Sequence, residues 1–267
     1  MIPVALTIAG SDSGGGAGIQ ADLKTFSALG VFGTSALTAL TAQNTLGVCA
    51  VHAPPPDFVA AQIAAVLTDF RVGAAKTGML HSAEIITAVA EALAEAPDLP
   101  LVVDPVMIAT SGDPLIRPEA VMVMVKKLFP RAALVTPNLA EAAALTHAPI
   151  AQDLDAMQRQ GEAIRAMGAR AVLMKGGHSE GPEATDLLVS DEGSRLFSAL
   201  RVKTRHTHGT GCTLSAAIAA GLARGQPMEE AIGEAKTYLT AALVAGRELG
   251  LGHGNGPVHH FHALRAR

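Results

Sequence analysis

The chain has 267 residues, of which 49% are apolar, and its formal net charge is −4 at pH 7. This length suits one large α/β domain, which we expect over residues 1–267. The weak negative charge argues against nucleic acid or an anionic membrane as main partner. No apolar run reaches the roughly 18 residues of a membrane span, and two cysteines make no disulfide framework, so we expect a soluble, cytoplasmic protein.

Short β-rich runs alternate with helical periodicity along the whole chain. The predicted strands are Val4–Ala9, Gly33–Thr41, Ala74–Thr77, Leu101–Asp104, Ala133–Thr136 and Val172–Lys175, followed by a hairpin of Asp186–Ser190 and Arg195–Val202. The predicted helices are Gly18–Leu29, Asp57–Leu67, Ser82–Glu95, Pro118–Leu128, Leu139–Leu145, Leu154–Met167, Cys212–Ala223 and Met228–Leu249. This alternation predicts a mostly parallel sheet with helices on both faces.

Distinctive glycine-rich and polar segments follow the predicted strands. In a parallel sheet of this kind, ligands bind beyond the carboxyl ends of the strands. The convergence of these segments at one sheet edge therefore predicts an enzyme. The segments are Gly10–Gly16, Gln43-Asn44, Gly78-Met79, Asp104–Met107, Pro137-Asn138 and Gly176–His178.

The first glycine-rich loop does not bind a dinucleotide. Gly16–Ala21 fits the pattern G-x-G-x-x-A, but that fingerprint needs an acidic residue about 20 positions later. No acidic residue occurs from Thr25 to Pro56, and a Walker P-loop is absent too. We interpret the loop as flexible backbone beside a small ligand. Asp22, just behind it, either serves that ligand or is a plain acid near the start of a helix.

The segment Thr207–Cys212 leads into a predicted helix. Unpaired amides and the helix dipole make such a start an anion site, and Gly209 and Gly211 let a phosphate approach the backbone. Cys212 would lie in the first turn, where the same field stabilises a thiolate that could act as a base. This arrangement suggests phosphoryl transfer. The alternative is an ordinary turn with a small buried cysteine.

Two carboxylates suit a magnesium ion. Asp104 ends an apolar strand, and Glu141 lies one helical turn beyond Asn138, so both can join phosphate oxygens around Mg²⁺. Glu141 is also placed to be the capping-box partner of Asn138, and both roles can hold together. Lys175 could reach phosphate oxygens, whereas Lys236 either contacts the nucleotide or is a solvated surface lysine.

The remaining polar candidates are an amide and a group of histidines. The carboxamide of Gln43 can donate and accept side by side, which matches an aminopyrimidine edge, although a turn amide is the alternative. His253, His259, His260 and His262 lack the spacing of a metal site. We therefore expect a mobile, glycine-bounded tail there.

Taken together, these segments resemble one family. Ala9–Lys24 resembles the amino-terminal signature of the hydroxymethylpyrimidine/phosphomethylpyrimidine kinases of thiamine biosynthesis. Later motifs of that family are matched in order along nearly the whole chain, by Thr41–Asn44, Lys76–Leu80, Val103–Met107, Thr136–Asn138, Lys175–His178, His208–Cys212 and Gly256–His260.

The resemblance implies a ribokinase-like, three-layer α/β/α fold with a reduced lid, usually as a homodimer. It implies two ATP-dependent phosphorylations, first of 4-amino-5-hydroxymethyl-2-methylpyrimidine and then of its monophosphate. The nearest alternative is a pyridoxal kinase, or a dual pyrimidine and pyridoxal kinase, of the same fold. A non-catalytic pyrimidine-binding regulator is a remote alternative, because the chemically active residues are intact.

The resemblance also implies a role for each candidate residue. Cys212 is the proposed base, and Asp104 with Glu141 would hold Mg²⁺. The pyrimidine pocket would be lined by Gly10, Asp22, Gln43, Met79 and Val106. The nucleotide and its phosphates would be held by Asn138, Lys175, Thr207, Gly209, Thr210, Gly211 and Lys236.

Overall fold

The computed structural model describes residues 1–107, 116–177 and 181–264. Its strands are β1 (Val4–Asp12), β2 (Phe32–Asn44), β3 (Gly47–His52), β4 (Val72–Thr77), β5 (Leu101–Val103), β6 (Leu134–Val135), β7 (Val172–Met174), β8 (Glu183–Ser190) and β9 (Gly193–Leu200). These described strands form one sheet in the order β3-β2-β1-β4-β5-β6-β7-β8-β9. The pairs from β2 through β7 are parallel, whereas β3, β8 and β9 are antiparallel to their neighbours.

Helices cover both faces of this sheet. They are α1 (Gly18–Ala28), α2 (Pro56–Asp69), α3 (Ala83–Ala94), α4 (Pro118–Lys127), α5 (Leu139–Thr146), α6 (Leu154–Ala166), α7 (Thr210–Ala223) and α8 (Met228–Gly246). One apolar core lies under α2 to α6, and a second core lies under α1, α7 and α8. The three-layer α/β/α architecture and the mostly parallel sheet are thus confirmed.

The predicted helices and strands are present, with ends that differ from the prediction by at most three residues. Two described elements were not predicted from the sequence, the short 3₁₀ helix Phe129–Arg131 and the strand β3. This strand pairs with the end of β2 at the sheet edge, and its residues Cys49–His52 are exposed. An exposed edge strand lacks the apolar alternation that reveals a half-buried one.

The chain direction brings the candidate residues together. The strands β1, β2, β4, β5, β6 and β7 run in the same direction, so the segments that follow them meet at one edge. Because α7 begins at Thr210 with its amino end in contact with these segments, its first turn faces the same place. In the described ranges no helix is long and apolar enough to cross a membrane.

Candidate active site

The start of α7 forms a backbone cradle. Gly209 caps the helix with φ of 79°, and no side chain of the described chain caps its first amides. A Cβ atom at Gly211 would lie 3.4 Å from Lys175 Nζ and 3.6 Å from Asp104 Oδ2. The cradle therefore faces one lysine and one carboxylate directly. Unpaired amides beside an ammonium group favour a phosphate oxygen at this point.

Asp104 lies at the centre of a buried polar cluster just beyond β5. Its Oδ1 accepts hydrogen bonds from Lys175 Nζ at 2.7 Å and from Thr136 Oγ1 at 3.1 Å. Its Oδ2 accepts from Ser215 Oγ at 3.3 Å. Burial opposes ionisation of this carboxyl, but Lys175 and the other donors outweigh it and lower its pKa. Asp104 therefore stays negatively charged at neutral pH.

Glu141 completes the cluster. Asn138 Oδ1 accepts from the Glu141 amide at 2.9 Å, and the Asn138 amide donates to Glu141 Oε2 at 2.7 Å, so the predicted capping box exists. The same Oε2 lies 3.9 Å from Lys175 Nζ. Burial, opposed by Lys175, raises the pKa of Glu141 to about 7. The cap thus holds a second carboxylate beside Asp104 and Lys175.

These carboxylates fit a magnesium ion that also binds phosphate. Among the residues that the structure describes, no three or more His, Cys, Asp or Glu side chains form a metal site of their own. Mg²⁺, however, keeps waters and binds proteins through one or two carboxylates together with phosphate oxygens. Asp104 and Glu141, which share the ammonium of Lys175, supply that donor set.

Cys212 is a neutral thiol, and the thiolate expected from the sequence is wrong for the resting protein. Burial raises the pKa of Cys212 to about 11. The ammonium of Lys76 and the Gly18 amide act in the opposite direction, but Asp22 and Asp104 reinforce the effect of burial. Desolvation therefore outweighs the nearby positive charge.

Lys76 was missed by the sequence analysis although it shapes the site. It is fully buried, and its Nζ lies 3.0 and 2.9 Å from the two carboxylate oxygens of Asp22. Thr7 Oγ1 donates to Asp22 Oδ2 at 2.6 Å. Burial alone would lower the pKa of Lys76, but Asp22 raises it above its usual range. A lysine in an otherwise apolar strand was the signal available in the sequence.

Asp22 is consequently not a plain acid at a helix start. Its side chain is completely buried and both carboxylate oxygens are bonded. Both oxygens are therefore occupied by Thr7 and Lys76. The ion pair with Lys76 lies close enough to influence Cys212 electrostatically.

The other predicted pocket residues lie at or beyond the ends of β1, β2, β4 and β5. Gly10 is in close contact with Met79, because a Cβ atom at Gly10 would lie 2.6 Å from Met79 Cε. Gln43 is half-buried at the end of β2, and its Oε1 accepts from Thr41 Oγ1 at 3.0 Å. Its Nε2 has no hydrogen-bond partner in the described part of the chain. Val106 follows Asp104 and is half-buried.

Lys236 is not a surface lysine. It is 8% exposed, and its Nζ donates to Asp186 Oδ2 at 2.7 Å. Asp186 Oδ1 in turn accepts from the Gly176 amide at 3.0 Å, so Lys236 steadies the backbone next to Lys175. It also lines a cavity of about 700 Å³ between β9 and α8.

Thr207 and Thr210 shape the approach to the cradle. The Thr210 amide donates to the Thr207 carbonyl at 3.2 Å, which closes the turn just before the helix. Both side chains are partly exposed. His178, the last residue of one predicted motif, lies outside the described residues.

The carboxyl-terminal histidine segment is packed, contrary to the mobile tail expected from the sequence. The His208 amide donates to the Gly256 carbonyl at 3.1 Å, and the Asn255 amide donates to the Thr45 carbonyl at 3.0 Å. His260 is 4% exposed, and its Nε2 lies 3.1 Å from Thr213 Oγ1. The glycines in this segment allow close packing between the cradle and the β2–β3 turn.

His260 should make the stability of the fold depend on pH. Burial, with smaller effects of Lys24, His259 and His262, lowers its pKa to about 4. In the unfolded chain the pKa of His260 is near 6.5, so the unfolded chain binds the proton more readily. The free energy of unfolding is therefore highest above pH ~6.5 and falls as the pH is lowered towards ~4. Urea unfolding should show a loss of up to about 3 kcal/mol across that window.

His260→Gln tests this assignment, because an amide does not titrate. The free energy of unfolding of the variant should lose the part of its pH dependence that lies between pH ~4 and ~6.5. Urea unfolding of the variant and of the unchanged chain at each pH measures this difference. An identical pH dependence in both proteins would show that His260 is not the responsible group.

The sheet edge, with its backbone cradle, lysine and paired carboxylates, defines a phosphotransferase of the ribokinase-like α/β/α class. A family model described as phosphomethylpyrimidine kinase matches residues 12–259. The chain belongs to the phosphomethylpyrimidine kinase family, as the sequence motifs indicate.

Relatives and solved structures agree with this assignment. A hydroxymethylpyrimidine/phosphomethylpyrimidine kinase of Rhizobium meliloti (strain 1021) is 57% identical over 262 residues and 98% of each chain. One of Escherichia coli (strain K12) is 53% identical over 97% of each chain. The ADP complex of Bacillus subtilis pyridoxal kinase has a TM-score of 0.89 at 37% identity, over 98% of this chain and 99% of that one. A Clostridium difficile 630 phosphomethylpyrimidine kinase has a TM-score of 0.80 at 46% identity, over 90% and 99%.

Proposed function

We propose that this protein transfers the γ-phosphoryl group of ATP to the hydroxymethyl group of 4-amino-5-hydroxymethyl-2-methylpyrimidine, and then to the resulting monophosphate. One observation carries the proposal. Gly10, Gln43 and Met79 of the predicted pocket lie at the same sheet edge as the backbone cradle of Gly209–Cys212, and Gly209 packs directly against the Gly16 carbonyl just before α1. In this proposal the acceptor site and the donor site face each other.

The phosphate end relies on charge and backbone amides. Lys175 and the amides of Gly211 and Cys212 would hold the oxygens of the transferring group, whose charge spreads during transfer. Asp104 orients Lys175 through their 2.7 Å bond. Lys236 and Asp186 fix the backbone beside Lys175, and the adjoining cavity between β9 and α8 would take the adenosine part.

Asp104 and Glu141 would hold Mg²⁺ at this end. When bound, the ion neutralises charge on the phosphate oxygens. The protein's own contribution is to keep Asp104 ionised through Lys175, Thr136 and Ser215. The capping box holds Glu141 in place through its bonds with Asn138.

At the acceptor end, Gln43 would recognise the aminopyrimidine edge. Thr41 holds its Oε1, which points the amide in one direction and leaves Nε2 for a ring acceptor. Met79 and Val106 would contact the ring faces. Asp22 stays behind this wall in its ion pair with Lys76.

Gln43→Ala should weaken pyrimidine binding by ~1–3 kcal/mol, because buried polar atoms of the ring lose their partner. Binding of ATP should change little, since Gln43 lies at the acceptor end. Calorimetric titration of the variant with each ligand separately measures both effects. Normal pyrimidine affinity in the variant would show that Gln43 does not read the ring.

A pyridoxal kinase activity is the second candidate, because a pyridoxal kinase superposes on the chain with a TM-score of 0.89. A coupled assay of ATP consumption with hydroxymethylpyrimidine, its monophosphate and pyridoxal separates the two. We expect turnover with both pyrimidines. Turnover with pyridoxal alone would refute the proposed function, and turnover with all three would indicate a dual enzyme.

We also propose that residues 1–267 act as one domain, in the cytoplasm, as a homodimer. The single sheet of the described strands supports the first point. The exposed edge strand β3 offers an unpaired edge, which proteins commonly cover. Light scattering after size-exclusion chromatography measures the oligomeric state, and a monomeric mass would contradict the dimer.

A further inference from the structure

A buried polar junction ties the acceptor side of the site to the phosphate cradle. It consists of Asp12, the glycine-rich loop at 13–17 and His208. Asp12 is 2% exposed and His208 is 7% exposed. Neither residue belongs to the set that we assign to the substrates, and both lie directly between the two halves of the site.

Asp12 organises the glycine-rich loop. Its Oδ1 accepts from the Gly14 amide at 2.8 Å, and its Oδ2 accepts from the Gly16 and Ala17 amides, both at 2.9 Å. The Gly15 amide donates to the Asp12 carbonyl at 2.9 Å. Four successive amides of the loop therefore bond to one residue, which fixes the backbone that leads into α1.

His208 connects this loop to the cradle. Its Nε2 lies 2.8 Å from Asp12 Oδ2, and because an ionised carboxylate only accepts, the imidazole is the donor. Burial opposes ionisation of Asp12, but the bonds from His208 and Ala17 lower its pKa. Asp12 therefore stays ionised and can accept these hydrogen bonds.

Glycines let the two segments touch at the junction. A side chain at Gly16 would collide with the imidazole of His208, and one at Gly209 would collide with the Gly16 carbonyl. Gly209 follows His208 directly and begins the cradle, while Gly18, two residues beyond Gly16, starts α1. The bond between Asp12 and His208 therefore sets how the start of α1 meets the start of α7.

We propose that Asp12 and His208 are positioning residues that hold the phosphate cradle against the acceptor pocket. Thr41 holds the Gln43 side chain and Asp104 holds Lys175. The Gln43 backbone is also bonded, at 2.7 and 2.8 Å, to Ser13, a loop residue outside the four amides that Asp12 binds. Without the tie each half would still bind its ligand, but the reacting oxygen and phosphorus would be poorly aligned. The proposal rests on the phosphoryl transfer proposed above.

The test compares Asp12→Asn and His208→Ala with His208→Gln, whose amide nitrogen can donate in place of Nε2. We expect kcat to fall at least about tenfold in the first two variants, because misalignment of reacting groups is costly. The Kd of the pyrimidine alone and of a non-hydrolysable ATP analogue alone should stay within about threefold. His208→Gln should recover most of the lost rate.

Gln160→Ala is the matched control. Gln160 is 6% exposed on α6 and donates to the Pro149 carbonyl at 2.7 Å. The substitution therefore removes a buried hydrogen bond outside the junction. Its melting temperature should fall while its kcat stays unchanged. A loss of rate in the control that matches its loss of stability would point to a general structural effect.

Hydrogen exchange supplies a readout independent of turnover. In His208→Ala we expect faster exchange both in the loop at 13–17 and in residues 209–213. Unchanged kcat in both Asp12→Asn and His208→Ala, or faster exchange confined to one segment, would overturn the proposal. Failure of the proposed function would appear differently, as a lack of pyrimidine turnover in the unchanged protein.

Discussion

Asp104→Asn and Glu141→Gln should each raise the Mg²⁺ concentration needed for half-maximal activity by about tenfold or more, because charge neutralisation at the phosphates is the main catalytic device in phosphoryl transfer. Glu141→Gln should keep the fold, since an amide oxygen can still accept from Asn138 in the capping box. A Mg²⁺ titration of the rate at saturating ATP measures the effect, and thermal unfolding confirms that each variant is folded.

Two controls sharpen this prediction. Glu91→Gln changes a carboxylate to an amide at an exposed ion pair with Lys127 and should leave the Mg²⁺ requirement unchanged. Asp104 could instead act only by orienting Lys175, in which case the KM for ATP would rise and the Mg²⁺ requirement would not. Unchanged Mg²⁺ titrations in both Asp104→Asn and Glu141→Gln would rule out the metal assignment.

The arrangement of the fold was largely predictable because its signals are local. Apolar strands buried on both faces and amphipathic helices repeat along the chain, and their order implies a parallel sheet. The edge strand Gly47–His52 escaped prediction because its pairing partner, rather than its own sequence, makes it a strand. Its exposed face carries no apolar alternation.

The site was predictable in position more than in chemistry. Glycines and carboxylates that follow strands indicate where a ligand binds, but not which charges pair. The sequence does not show that Lys76 reaches Asp22 across the core, or that His208 reaches Asp12, since these partners are separated by 54 and 196 positions. The extent of burial, which decides the pKa of Cys212, is likewise a property of the packed structure.

The same limit explains the histidine segment at 253–262. Its glycines indicate flexibility when read alone. In the folded chain they permit close contacts, because side chains at Gly254 and Gly256 would collide with Thr45 and His206. A glycine in the sequence therefore predicts conformational freedom. Only the structure shows which segment packs closely against it.

Cys212→Ala should separate the two proposed chemical steps. The first acceptor is an alcohol, which loses a proton as it attacks, whereas the second is a phosphate monoester that is already anionic near neutral pH. If Cys212 takes the proton, the variant slows the first step by ~10²-fold, a usual size for a lost general base. The second step should slow much less. Single-turnover kinetics on each acceptor at saturating ATP measure both rates.

The raised pKa of Cys212 adds a pH signature to this prediction. With a pKa of about 11, the thiol is almost fully protonated at neutral pH, and the thiolate fraction grows about tenfold for each pH unit below that value. The rate of the alcohol step should therefore rise with pH in the unchanged protein and lose this slope in Cys212→Ala. The monophosphate step should show no such difference.

Cys49→Ala is the matched control, because Cys49 is the chain's other cysteine and lies exposed on β3. It should leave both rates and both pH profiles unchanged. Equal losses on the two acceptors in Cys212→Ala, without a change in pH slope, would mean that the side chain shapes the cradle and does not accept a proton. The half-buried thiol would then act through packing in the first turn of α7.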